Sequence, residues 1–230
     1  MADDTIRRTP ARGRFITFEG GEGSGKSTQI KRLAARLEAA RLRTLVTREP
    51  GGSPGAEIIR HLLLSGIGKL LGPEAETLLF VAARADHVRT VILPALAQDT
   101  WVLCDRFSDS TRVYQGRLGH VAPAFLDRIE RVTIGDLKPD LTIILDVPVE
   151  VGLKRAAARR GGGAPDRFEA EDARFHETLR EAYRDIAASE PGRCVLIDAN
   201  ADVDTVAAEV WATLHDRFLT NPASNFTAPA

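Results

Sequence analysis

Residues Gly20-Gly21-Glu22-Gly23-Ser24-Gly25-Lys26-Ser27 form a glycine-rich run between two segments of different periodicity. Before it stands Phe15-Ile16-Thr17-Phe18, a short apolar, strand-like segment; after it Ile30, Leu33, Ala34 and Leu37 recur at helical spacing. The run fits G-x-x-x-x-G-K-[ST] in the context that motif requires, strand before and helix after. Glycines let the backbone adopt turns closed to other residues, so successive N–H groups can converge on phosphate oxygens, reinforced by the positive end of the following helix. Lys26 is expected on the β- and γ-phosphates of a nucleoside triphosphate and Ser27 on Mg²⁺, with Gly20 to Ser27 and Thr28 forming the triphosphate site.

Strand-like and helix-like runs continue to alternate from Arg14 to about Phe218. Further strand candidates are Thr44-Leu45-Val46-Thr47, Trp101-Val102-Leu103-Cys104, Leu141-Thr142-Ile143-Ile144-Leu145 and Cys194-Val195-Leu196-Ile197. Their continuous apolar character predicts strands buried on both faces. Leu78, Val81, Ala82 and Ala85, and Phe175, Leu179, Ala182 and Ile186, read as core-facing helical stripes. The expected fold is α/β: a three-layer α/β/α P-loop domain with a five-stranded parallel sheet over residues 14–219. Residues 1–13 read as a disordered lead-in, 220–230 as a flexible tail, and the stretch 154–168 around Gly161-Gly162-Gly163 as a mobile lid.

The chain has 230 residues, 31 basic against 32 acidic, and a formal charge of −1. That balance argues against a general polyanion binder or a membrane-surface protein, so neither nucleic acid nor membrane is expected as a partner. Cys104 and Cys194 lie far apart in apolar runs, which reads as two buried thiols of a reduced, cytoplasmic protein. A guanine-nucleotide switch is disfavoured: no Asp-x-x-Gly occurs, and none of Asn200, Asn221 and Asn225 is followed by Lys.

Five segments narrow the choice among P-loop proteins. Phe18-Glu19-Gly20-Gly21-Glu22-Gly23, Thr47-Arg48-Glu49-Pro50-Gly51-Gly52, Phe80-Val81-Ala82-Ala83-Arg84, Asp105 through Gly116 (DRFSDSTRVYQG) and Asp166-Arg167-Phe168-Glu169 follow one another in the order and spacing of bacterial thymidylate kinases. The chain resembles that family from about Arg14 to Phe218. The resemblance implies transfer of a phosphoryl group from ATP, with Mg²⁺, to thymidine monophosphate (dTMP), in dTTP biosynthesis, by a homodimer packed through long helices including residues 74–96. A kinase for another nucleotide or for a deoxynucleoside is the alternative within the same class.

The same resemblance assigns the cradle over residues 20–28 to ATP and places further residues. Arg106 would clamp the acceptor phosphate, with Arg48 a second guanidinium near it. Asp105 would help hold Mg²⁺, directly or through water. Phe80 and Arg84, four apart on one helix face, would stack on thymine and bond its carbonyl edge. Thr111 and Gln115 would lie at the base's polar edge, Tyr114 under the sugar, and Glu22 would accept from the acceptor's 3′-hydroxyl. Some members carry a catalytic Arg inside the cradle, but positions 21–24 here are Gly, Glu, Gly and Ser. The transition-state cation is therefore expected from the lid, where Lys154, Arg155, Arg159, Arg160 and Arg167 surround the glycines: Arg159 or Arg160, supported by Arg155 on the ATP side. Ala157 stands where the family often has another Arg. Asp198-Ala199-Asn200 would hold adenine by backbone contacts, or Asp198 would cap the last helix.

Overall fold

A computed structural model describes residues 13–65, 70–161 and 168–220. The lead-in before Gly13, the tail after Thr220, and Gly162, Gly163, Asp166 and Arg167 of the lid lie outside the described residues. Strands β1 (Phe15–Glu19), β2 (Thr44–Arg48), β3 (Trp101–Asp105), β4 (Leu141–Asp146) and β5 (Cys194–Asp198) alternate with α1 (Lys26–Ala39), α2 (Pro54–Leu64), α3 (Pro73–His87), α4 (Leu93–Ala97), α5 (Ser108–Thr111), α6 (Pro123–Ile134), α7 (Val149–Arg160), α8 (Ala173–Ser189) and α9 (Val203–Phe218). All five strands are parallel, in the order β2-β3-β1-β4-β5.

Side chains alternate between the faces with the period of a strand. Ile16 and Phe18 of β1, Trp101 and Leu103 of β3, and Leu141, Ile143 and Leu145 of β4 pack under α1 and α9, meeting Ile30, Leu33, Leu37, Val206, Val210 and Leu214. Phe15, Val102 and Cys104 point the other way, onto Val88, Ile92 and Ile134, while Ile144 and Cys194 meet Leu179, Ala182, Tyr183 and Ile186 of α8. Thr17, on that second face, shares a hydrogen bond of 2.8 Å with Thr142. Glu19, two residues further along β1, therefore also belongs to the second face.

Each strand runs one residue past its apolar run, onto Glu19, Arg48, Asp105, Asp146 and Asp198. These five charged residues stand at the carboxyl edge of the sheet, where open α/β sheets bind ligands. Burial on both faces holds for β1, β3 and β4 but not for the edge strands, where Val46 is 48% and Leu196 40% exposed. The stripe expected on α3 is rotated as well: Thr77, Val81, Arg84 and His87 are buried, whereas Leu78 is 49% exposed and Ala82 is exposed. Buried polar residues, Arg84 and His87 bonded to Glu49, take the inward face and turn apolar Leu78 outward.

The helix of α3 continues through a widened π turn, Val88–Ile92, into α4. Pro94 has no N–H to donate back into this helix, which accounts for the loosened turn ahead of it. A second π segment, Arg112–Leu118, extends α5 and carries Tyr114 and Gln115. The cap of α9 is Asp202, accepting from Asp204 N and Thr205 N, and not Asp198, whose carboxylate accepts from Asn200 N. Among the described residues no helix is long and apolar enough to cross a membrane.

Candidate active site

The turn from β1 into α1 wraps around the Lys26 ammonium, which donates to Gly20 O at 2.9 Å and Gly21 O at 3.0 Å. Burial and the neighbouring Arg106 charge lower its pKa from the ordinary lysine value. Gly23 has φ 66°, and a Cβ there would lie 1.9 Å from Gly152 O in α7. A Cβ on Gly152 would in turn meet Glu22 O at 2.5 Å. The two glycines thus let the cradle and the root of α7 touch backbone to backbone, a contact closed to any other residue pair.

A cavity of about 390 Å³ opens beside this turn. One side is the cradle, Glu22 to Thr28; the other is built from Arg48, Phe80, Arg84, Asp105, Arg106, Thr111, Tyr114 and Gln115. Residues expected on the ATP and on the acceptor thus line one continuous space, as does Arg159. Gly20 and Gly21 instead line a much smaller adjoining cavity of about 20 Å³. Ser27 Oγ donates to Asp105 Oδ2 at 2.9 Å, bringing together a hydroxyl and a carboxylate, hard oxygen donors of the kind Mg²⁺ takes alongside phosphate and water.

Arg106 sits between the halves. Its φ of 70° lies in the left-handed region, which costs a non-glycine residue about 1–3 kcal/mol and persists only where the surroundings over-determine it. Its backbone N–H donates to Phe18 O at 2.9 Å, and its guanidinium donates to Glu22 Oε1 at 2.8 Å and Tyr183 Oη at 3.1 Å while lying 5.2 Å from the Tyr114 ring centroid. Burial alone would weaken the charge, but Tyr114, Tyr183, Glu22 and Glu19 together raise its pKa further. Burial pushes the Glu22 carboxyl up, yet Arg106, Lys26 and Arg159 outweigh it and hold the group below the usual carboxylate range. Glu22 is an ionised side chain facing three cations.

Arg84, expected at the edge of the base, lines the cavity and is also held by protein partners. It is 4% exposed, and its Nε and Nη2 donate to Glu49 Oε2 at 2.7 Å, Phe107 O at 3.0 Å and Thr111 Oγ1 at 3.0 Å. It lines the cavity as a hub tying α3 to the turns after β2 and β3. Arg48 pairs with Glu57 at 2.9 Å on an exposed rim. Tyr114 meets Phe168 edge-on at 5.0 Å between centroids, closing the cavity from the lid side.

The lid residues separate. Arg159 faces the cavity and makes a 3.2 Å ion pair with Glu169 while 64% exposed. Arg160 does not line the cavity; it is more buried and bonds Glu169 at 2.5 Å. Arg155 also lies outside the cavity and donates to Ala199 O at 2.8 Å, on the turn expected to hold adenine. Sequence reading missed Glu19, Glu49, Ser110 and Tyr183. Glu19 and Glu49 carried one legible signal, a lone carboxylate next to a strand's carboxyl end.

The thymidylate kinase family model matches residues 18–210. A thymidylate kinase of Bradyrhizobium diazoefficiens is 74% identical over 97% of this chain and 98% of its own, and one of Nitrobacter winogradskyi is 75% identical over 97% of each. A crystal structure of thymidylate kinase from Ehrlichia chaffeensis superposes with a TM-score of 0.70 at 35% identity, covering 88% of this chain and 98% of the other. With the cradle and the five-stranded parallel sheet in place, the chain belongs to the thymidylate kinase family and, with it, to the enzymes that phosphorylate thymidine monophosphate.

Proposed function

We propose that the cavity carries out ATP + dTMP → ADP + dTDP, a step of dTTP supply, with both nucleotides held at once. The observation carrying this reading is the Arg106–Glu22 pair at 2.8 Å, which sets the acceptor-side cation against the cradle within one cavity. The acceptor oxygen is already anionic, so no general base is required; the protein's task is positioning and offsetting repulsion between two phosphates. The cradle N–H groups and Lys26 hold the ATP phosphates. Arg106, supported by Arg48 at the rim, takes the acceptor phosphate, releasing Glu22 toward the sugar hydroxyl. Phe80 stacks on the base, and Thr111 and Gln115 meet its polar edge. Arg159 reaches the transferring group from α7, Arg155 stays with the adenine turn, and Arg160 supports the lid over residues 154–168. Ser27 and Asp105 would hold Mg²⁺, which when bound neutralises phosphate charge.

A coupled ADP-release assay offering dTMP, dUMP, dCMP, dAMP, dGMP and thymidine at equal concentration tests the reading. dTMP should be used about 10²-fold or more better than thymidine, since a nucleoside leaves the Arg106 site without its anion. Comparable turnover of thymidine, or preference for a purine monophosphate, refutes the acceptor assignment.

We also propose a homodimer through α3 and its extension to residue 97, whose outward face carries Leu78 and Leu93, 49% and 46% exposed. A monomeric mass by light scattering at assay concentration would remove this part. The cytoplasm is the compartment that suits two unpaired buried thiols, Cys104 and Cys194.

A further inference from the structure

Beneath the acceptor clamp lies a carboxylate with no direct access to the cavity. Glu19, at the end of β1, is fully buried. Its Oε1 accepts from the backbone N–H of Phe107 at 2.8 Å and of Ser110 at 3.3 Å. Its Oε2 accepts from the hydroxyls of Ser110 at 2.6 Å and Tyr183 at 2.9 Å. The same two hydroxyl oxygens face Arg106 Nη1, at 3.4 and 3.1 Å.

The direction of these bonds is fixed by counting protons. A guanidinium only donates, and a hydroxyl has one proton and two lone pairs. Ser110 and Tyr183 can receive Arg106 Nη1 while donating onward only if Oε2 accepts, and Oε1, which faces two backbone N–H donors, must accept as well, so the carboxyl is ionised. The hydroxyls are also 3.0 Å from each other, but the anionic Oε2 is the stronger acceptor for both protons. We propose that Glu19 is a positioning residue of the acceptor clamp: its carboxylate holds the Phe107–Ser110 turn that follows the left-handed Arg106 and, through Ser110 and Tyr183, orients the Arg106 guanidinium toward the acceptor phosphate. The proposal rests on the reading of Arg106 as that clamp.

Burial, followed by the Asp109 charge, raises the Glu19 pKa to about 7, against the lowering pull of Arg106, Ser110 and the Phe107 N–H. The other charged or titratable groups facing it are Lys26 from α1, Cys104 from β3, Arg84 from α3, Tyr114 from the π segment and Tyr183 from α8. Burial pushes Cys104, Tyr114 and Tyr183 up, so they stay neutral near pH 7, and Arg84 and Arg106 stay charged. Protonating Glu19 makes one oxygen a donor, turns a hydroxyl around and removes the anionic acceptor that anchors both hydroxyls behind Arg106.

Steady-state kinetics of wild type, Glu19→Gln and Tyr183→Phe across the pH range, with thermal unfolding as a folding check, test this. At about pH 8, Glu19→Gln should lower kcat/KM for dTMP by about tenfold or more and leave the KM for ATP within about twofold, because only the acceptor side loses alignment. Wild type should show an acid limb in kcat/KM for dTMP near the Glu19 pKa of about 7. The acceptor phosphate's second ionisation, at about 6, contributes to the same limb in every variant, so the difference between wild type and Glu19→Gln isolates Glu19. Tyr183→Phe, which keeps the ring, should lose about threefold in the same parameter. Should Glu19→Gln not fold, Tyr183→Phe and Ser110→Ala decide. Wild-type constants in these variants, equal losses toward both substrates, or an acid limb unchanged in Glu19→Gln overturn the proposal. If Arg106→Ala itself leaves kcat/KM for dTMP intact, the clamp reading falls and takes this one with it; a severe Arg106→Ala beside a wild-type-like Glu19→Gln removes only the relay.

Discussion

Arg106→Ala is expected to lower kcat/KM for dTMP by about 10³-fold and to leave the KM for ATP within about twofold. The magnitude corresponds to about 4 kcal/mol of transition-state stabilisation, at about 1.4 kcal/mol per decade. It is large because the guanidinium is already aimed: a left-handed backbone, two hydroxyls and Glu22 fix it before substrate arrives. It is specific to the acceptor because Arg106 depresses the Lys26 pKa; deleting it relieves the cradle lysine and gives no reason for weaker ATP binding. Arg106→Lys keeps the charge but not the fork, and should recover about tenfold of the loss. Initial rates with each substrate varied in turn settle the matter. Equal losses toward ATP and dTMP would place Arg106 on the shared phosphate path and not on the acceptor.

The layers and strand positions of this fold were legible because the strands are continuous apolar runs and the cradle motif is local. What periodicity could not supply were the charged ends of the strands. Glu19 breaks the apolar pattern at the end of β1, where a reading by hydrophobic run stops, whereas Asp105 at the end of β3 is legible from the motif it begins. The rotation of α3 escaped for a related reason. Arg84 and His87 look solvent-facing by composition, yet both turn inward because Glu49, from the loop after β2, supplies buried partners. That pairing joins residues 35 and 38 positions apart, beyond any local pattern. Tyr183 sits one position along from Ala182 in a stripe read as core. Its ring is core, and only the third dimension shows its hydroxyl touching Glu19 and Arg106.

The lid arginines can be told apart by what each would have to give up in order to reach the γ-phosphate. Arg159 makes a 3.2 Å pair with Glu169 at 64% side-chain exposure. An ion pair so open to water is worth about 0–1 kcal/mol, so leaving it for a phosphate is inexpensive. Arg160 holds the same carboxylate at 2.5 Å and 25% exposure, and moving it would strip the 9%-exposed Glu169 of its closer partner. Arg159 also already lines the cavity and contributes to holding the Glu22 pKa down. Arg159→Ala should therefore reduce kcat by about 10³-fold, with KM for dTMP changed by no more than about threefold, the pattern of an interaction made only in the transition state. Arg160→Ala should leave kcat within about fivefold and express itself as a looser lid, read as a raised KM for ATP. Parallel kcat and KM measurements on the two variants discriminate. The reverse ranking would mean that closure exchanges their positions, with Arg160 leaving Glu169 for the phosphate and Arg159 taking its place.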